Sequence, residues 1–266
     1  MTLAVVFLVA SVIGLVFFVF EGYKSNFHSD SATKVLIAEA MIESGEFFPP
    51  GFYYGNGELW VIAMQLFVMP FLLFFPVGYT AHAFGALLNL SLVLWIAYKF
   101  QGEINPDRAS RIFVTALLGT GLSLNGIENL FGQYSYSINL IITMLFLMLT
   151  ARLFNNKNRS VPLTLLMAAG SVAIVYLLSF QSVTRALLYL IIPLILTGAL
   201  AIYGSLGRSL NRVRLFWFLV ANLGALGLGV YSRNIIGSEL NIAESLSIGV
   251  LLDPSNWKIS FVEALE

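Results

Sequence analysis

Apolar positions in this chain come in long, nearly unbroken runs, without the three-to-four spacing that marks a water-facing helix. Six runs suffice to carry a helix across the roughly 30 Å core of a bilayer: 2–20, 80–98, 134–151, 161–179, 186–204 and 215–231. A seventh, 112–125, would reach only about 21 Å as a helix. It is expected to be shielded by its neighbours and to end in a recess below the headgroups. The pattern predicts an all-α, polytopic transmembrane helix bundle of about seven spans with juxtamembrane helices. No internal repeat, low-complexity segment or linker divides residues 1–266, which read as a single transmembrane domain.

The run 59–75 is ambiguous. It is apolar, but Pro70 removes a backbone donor in its middle and Pro76 closes it. Short cytoplasmic loops collect Lys and Arg, so charge decides the topology. If 59–75 does not cross, Lys99, Arg108, Arg111, Arg152, Lys157, Arg159, Arg208, Arg212 and Arg214 share one face with only Glu103 and Asp107. The opposite face then holds Lys24, Lys34, Arg185, Arg233 and Lys258 with the other twelve of the fourteen acidic residues. This arrangement is preferred: the basic face is cytoplasmic, and residues 21–79 form an external loop with interfacial helices.

Within that loop a helix is expected from about Ser31 to Ser44, stopped by Gly45. Val35, Ala38 and Ile42 would lie on one face in the membrane interface, with Lys34 and Glu43 toward water. Pro49, Pro50 and Gly51 turn the chain, and Phe52, Tyr53 and Tyr54 suit the headgroup level. The first run lacks a basic start and a small-residue cleavage site, so it reads as a retained anchor and not a cleaved signal.

Composition sharpens this picture by exclusion. With 58% hydrophobic and 11% charged residues, the solvent for most of the chain is lipid. Zero formal net charge gives no basic field for nucleic acid. The absence of Cys removes disulfides, thiolate zinc sites and cysteine nucleophiles, and two histidines, His28 and His82, cannot build a histidine metal cluster. No phosphate-loop, zinc-protease, nucleophile-elbow or dinucleotide motif is present.

What remains is a set of charged groups expected at the outer interface. Asp30 opens the interfacial helix in HSDSA, where helix N-capping is the competing role. Glu128 lies in NGIENLFGQYSYS after the short run, where a plain loop carboxylate is the competing role. Arg185 in QSVTRALLYLIIPL and Arg233 in YSRN stand where spans meet the outer face, and snorkelling to headgroup phosphates would account for either.

The order of these parts resembles the GT-C superfamily of polytopic glycosyltransferases, which includes the protein O-mannosyltransferases and the enzymes that add aminoarabinose to lipid A. In that superfamily a first span leads to an external loop with an acidic motif opening an amphipathic helix. A Gly and Pro turn and a non-crossing apolar helix follow. HSDSA, ESGEFFPPGFYYGNGELW and the 59–75 run occupy those places, and VGYTAHAFGALLNLSLVLWIAYKF is similar to the next span in ending on the basic Lys99. The likeness extends over about 1–205 and is most specific between 27 and 100. Known members are longer, so against them this chain reads as a fragment or a reduced relative.

The resemblance implies sugar transfer from a polyprenyl-phosphate donor to a lipid, glycan or protein hydroxyl, at the extracytoplasmic face of the cell membrane. Asp30 would be the catalytic base. Arg185 would pair with phosphate, assisted by Arg233 or Lys34, while Glu128 would orient the acceptor or support a divalent ion. His28, Glu58, Gln133 and Tyr134 in the same loops are further substrate-binding candidates. No cofactor is assigned, although the available oxygen ligands would suit Mg²⁺ or Mn²⁺. Two rivals stay open: a transporter or handler of lipid-linked oligosaccharide without transferase activity, and a non-catalytic scaffold. The span cores are nearly free of ionisable residues, which disfavours an ion-coupled carrier.

Overall fold

The computed structural model describes residues 1–54, 58–121, 123–155, 160–203 and 212–242. Lys157, Arg159, Arg208 and Lys258, used in the charge count, lie outside the described residues, as does the segment 243–266. The main helices are α1 (Thr2–Phe17), α2 (Ser29–Ser44), α3 (Gln65–Leu72), α4 (Tyr79–Ile104) and α5 (Arg108–Gly119). They continue as α6 (Leu124–Ile127), α7 (Ser135–Asn155), α8 (Val161–Gln181), α9 (Val183–Ala186), α10 (Ile192–Tyr203) and α11 (Arg212–Gly237). Two-residue strands β1 (Tyr53–Tyr54) and β2 (Asn241–Ile242) pair in parallel.

Six helical stretches among the described residues are long and apolar enough to cross a membrane: Thr2–Asn26, Tyr79–Ile104, Ser135–Phe154, Val161–Gln181, Val183–Leu200 and Arg212–Gly237. The expected seventh span is corrected to the short helix α5, which stops at Thr120 and Gly121, the latter in the left-handed conformation. Its twelve residues cover about 18 Å, too little to span alone. α5 packs on α1 and α4. Apolar side chains such as Leu3, Phe17, Trp95, Leu166 and Trp217 point outward, as expected where the surrounding solvent is hydrocarbon.

The run 59–75 forms an irregular segment followed by only eight helical residues, α3, about 12 Å long. It cannot cross as a helix, and α3 packs instead against α2 and α4. α2 starts two residues earlier than expected and ends as expected, with Gly45 at φ 68° and its N–H on the Met41 carbonyl. Only glycine takes that φ without strain. Val35 and Ala38 are buried, but Ile37 and Met41 complete the buried face, while Ile42 is exposed.

Helix-to-helix packing is close where side chains are small. Gly229 of α11 lies against α8, where an added Cβ would stand 2.7 Å from the Tyr176 carbonyl oxygen and 3.0 Å from the Phe180 nitrogen. Such close approach of backbones is the usual basis of helix association in lipid. At one end of the bundle Arg152 donates through Nε to Glu103 Oε1 at 2.7 Å. The opposite end carries α2, the 58–64 segment, the start of α7 and the α8–α9 junction, and there the polar side chains gather.

Candidate functional site

A cavity of about 290 Å³ opens at that end, lined by α2, the segment from Glu58 to Ala63, the residues leading into α7, and the α8–α9 junction. Its charged lining is Asp30, Lys34, Glu58 and Arg185, and its polar lining includes Thr33, Gln133, Ser135, Asn139 and Gln181. With Tyr53 of β1, five separate parts of the sequence converge on one space.

α2 presents the first two charges. His28 is the N-cap, its Nδ1 accepting the Asp30 N–H at 3.3 Å. Asp30 lies inside the first turn and is not the cap, which removes the capping role weighed for it. Its carboxylate still benefits from the positive end of the helix. The side chain is 68% exposed at the mouth of the cavity, where Gln133 Nε2 donates to Oδ2 at 3.5 Å. Lys34 follows four residues later, the spacing that puts two side chains on one helix face.

Lys34 was expected to face water, and the structure corrects this. Its Nζ rests 2.9 Å from the centroid of the Trp60 ring, where the π face attracts a cation. Burial is the largest influence on this amine and pushes its pKa down to about 7; Arg185 acts the same way, while Asp30 and Glu58 oppose them. Near neutral pH the group therefore stands between ammonium and free amine.

Glu58 and Arg185 form the fixed pair of the cavity, with Arg185 Nε donating to Glu58 Oε1 at 2.7 Å. Gln181 fastens the same segment twice: its carbonyl accepts the Leu59 N–H at 3.0 Å, and its Oε1 accepts the Ile62 N–H at 2.9 Å. The irregular backbone from Glu58 to Ile62 thus finds partners that secondary structure does not supply. Ser182 Oγ accepts the Arg185 N–H at 3.4 Å and starts α9. A π-helical turn, Leu187–Ile191, continues it. Tyr54, Trp60 and Phe180 pack below as an apolar base.

The connection before α7 completes the wall. Another π-helical turn, Glu128–Gly132, ends with the Gln133 N–H on the Glu128 carbonyl at 2.7 Å. Tyr134 then takes a positive φ of 42°, an uncommon state for a residue with a side chain. Its ring is fully buried against His82 at 5.0 Å. This kink points Tyr134 into the bundle while Gln133, Ser135 and Tyr136 line the cavity.

Of the residues singled out from sequence, Asp30, Lys34, Glu58, Gln133 and Arg185 line the cavity. Glu128, His28, Tyr134 and Arg233 do not. Glu128 lies near enough to act electrostatically on Tyr23, as Asp30 does, and Tyr23 hydrogen-bonds Ser31 of α2 at 2.8 Å. Arg233 belongs to α11. Sequence reading missed Trp60, Asn139 and Gln181; the signal for Trp60 was an aromatic directly after the Gly- and acid-containing loop.

Among the described residues no group of three or more His, Cys, Asp or Glu side chains is placed to hold a metal ion. Of the two carboxylates in the cavity, Glu58 is engaged by Arg185. Asp30 and Glu58 by themselves are an incomplete donor set for Mg²⁺ or Mn²⁺. No protein-family model, curated protein or solved structure matches the chain.

Proposed function

We propose that this chain is a membrane glycosyltransferase of GT-C type, moving a sugar from a polyprenyl-phosphate donor to a hydroxyl acceptor at the extracytoplasmic face. The observation that carries this reading is a polar cavity at one end of the bundle that gathers the exposed Asp30 carboxylate with a lysine and an arginine. Charge asymmetry of the loops supports the outer face for that end.

In this reading the donor's anomeric carbon lies between Asp30 and the two cations. Asp30 takes the proton of the acceptor hydroxyl, whose oxygen forms the new bond to the anomeric carbon. The bond from that carbon to the phosphate oxygen breaks, and the electron pair leaves with the polyprenyl phosphate. Arg185 and protonated Lys34 stabilise the charge on the departing phosphate. Glu58 acts through Arg185, holding the guanidinium in one orientation, and Gln133 orients the Asp30 carboxylate. The apolar flanks of the bundle accommodate the polyprenyl chain.

The test is product formation by the purified full chain in proteoliposomes, with labelled polyprenyl-phosphate sugars and hydroxyl acceptors. Glycosylated acceptor together with released polyprenyl phosphate is the expected result. A bound donor that is never turned over, or carried across the bilayer intact, would favour the lipid-linked-oligosaccharide handling alternative.

A further inference from the structure

A second cavity, of about 390 Å³, is remote in kind from the first. It is a groove between α1, α4 and α5, lined by Leu8, Leu94, Trp95, Ile112 and Thr115, with Tyr98 and Arg108 also at its wall. The Thr115 hydroxyl in its lining has no free donor, since it donates to the Arg111 carbonyl at 2.8 Å. α5 packs on α1 and α4, and the groove runs along its residues Arg108 to Thr115.

The cations around it differ in availability. Arg111 is committed to Tyr98, donating from Nε and Nη2 to its carbonyl at 3.3 and 3.2 Å with the guanidinium 4.1 Å from the ring centroid. Arg108, at the first position of α5, is exposed, and among the described residues it has no hydrogen-bond or ion-pair partner. Lys99 is exposed as well and follows Trp95 by four residues, so it extends the same face of α4 toward the rim. An apolar trough ending in unpaired cations matches one class of molecule abundant around a membrane protein: a chain of hydrocarbon ending in a negative headgroup.

We infer that this groove binds an anionic phospholipid, one acyl chain lying against Leu94, Trp95 and Ile112 and the headgroup phosphate meeting Arg108. The site is independent of the glycosyltransferase reading, since it shares no residue with the cavity of Asp30 and Arg185. A zwitterionic lipid would fill the trough equally well but would gain less at its rim, so selectivity rests on the charge.

Native mass spectrometry of the purified full chain, equilibrated with equal amounts of phosphatidylglycerol and phosphatidylcholine of identical acyl chains, tests this directly. The wild type should retain one phosphatidylglycerol, favoured over phosphatidylcholine about fivefold, the factor one cation contributes at a membrane surface. Arg108→Gln should bring the preference close to unity, and Arg108→Glu should reverse it; the position is exposed, so neither change disturbs packing. Equal retention of the two lipids by the wild type, no retained lipid, or a preference unchanged in Arg108→Gln would overturn the proposal.

Discussion

Arg185 and Glu58 stand 127 positions apart in the chain and are joined by a 2.7 Å bond from Nε to Oε1. The side chains are 26% and 14% exposed, respectively, so the pair is screened less than a surface ion pair and desolvated less than a buried one. Glu58→Gln and Arg185→Gln should each cost about 1–3 kcal/mol, between the values for surface and buried pairs. The double variant should cost less than their sum. Thermal unfolding in detergent, arranged as a double-mutant cycle, checks the coupling; additive losses would show that the two residues do not interact.

Gln181 should prove as important as any charged residue for keeping the cavity in shape. Gln181→Leu removes the acceptor for the Ile62 N–H, leaving a part-buried donor unpaired at a cost of about 1–3 kcal/mol. Hydrogen exchange should accelerate in the 58–64 peptide and stay unchanged in α4. Unchanged protection at Ile62 would mean that the segment is held by other contacts.

Lys34 makes stability depend on pH in a defined direction. Its pKa is lowered from 10.5 to about 7, so between those values the folded chain holds fewer protons than the unfolded one. Unfolding then takes up a proton, and stability rises with pH across that window. Below about pH 7 the partly desolvated ammonium is carried at its full cost. The melting temperature of wild type relative to Lys34→Met should therefore climb from pH 7 toward 10. Trp60 emission should titrate near pH 7 in the wild type alone, because the amine over its ring face is charged below that point and neutral above it. A flat difference in melting temperature would contradict this.

The α8–α11 contact predicts opposite fates for two glycines on one helix. Gly229→Ala would drive a methyl group into Ser179 Oγ and the backbone at Tyr176, costing about 1–3 kcal/mol. Gly224→Ala meets nothing within 4 Å and should be neutral or slightly stabilising, within about 0.5 kcal/mol. Comparing their unfolding temperatures under one detergent condition distinguishes them.

Much of this architecture was legible because lipid imposes simple rules. The six long apolar runs became six long helices, with bounds shifted by a few residues into the polar flanks, and Gly45 ended α2 where expected. Pro70 and the charge count together argued against a crossing at 59–75, which forms only the short α3. The site was less legible. Asp30, Lys34 and Glu58 stood out as charges in the outer loop and Arg185 as a charge at a span end, but Gln181 is an amide at the close of an apolar run and carries no local signal for its two long-range bonds. Glu128, expected from the resemblance to orient the acceptor or support a divalent ion, does not line the cavity. The π-helical turn at Glu128–Gly132 and the positive φ of Tyr134 decide which neighbouring side chains meet the cavity, and neither is encoded in hydropathy.

That difference between two carboxylates gives the most direct test of the mechanism. Initial rates of sugar transfer should be measured for the purified wild type, Asp30→Asn and Glu128→Gln under saturating donor. Loss of the base should lower the rate by about 10²–10⁴ in Asp30→Asn while helicity is kept, and Glu128→Gln should retain most of the activity. An Asp30→Asn protein as fast as the wild type would contradict the account.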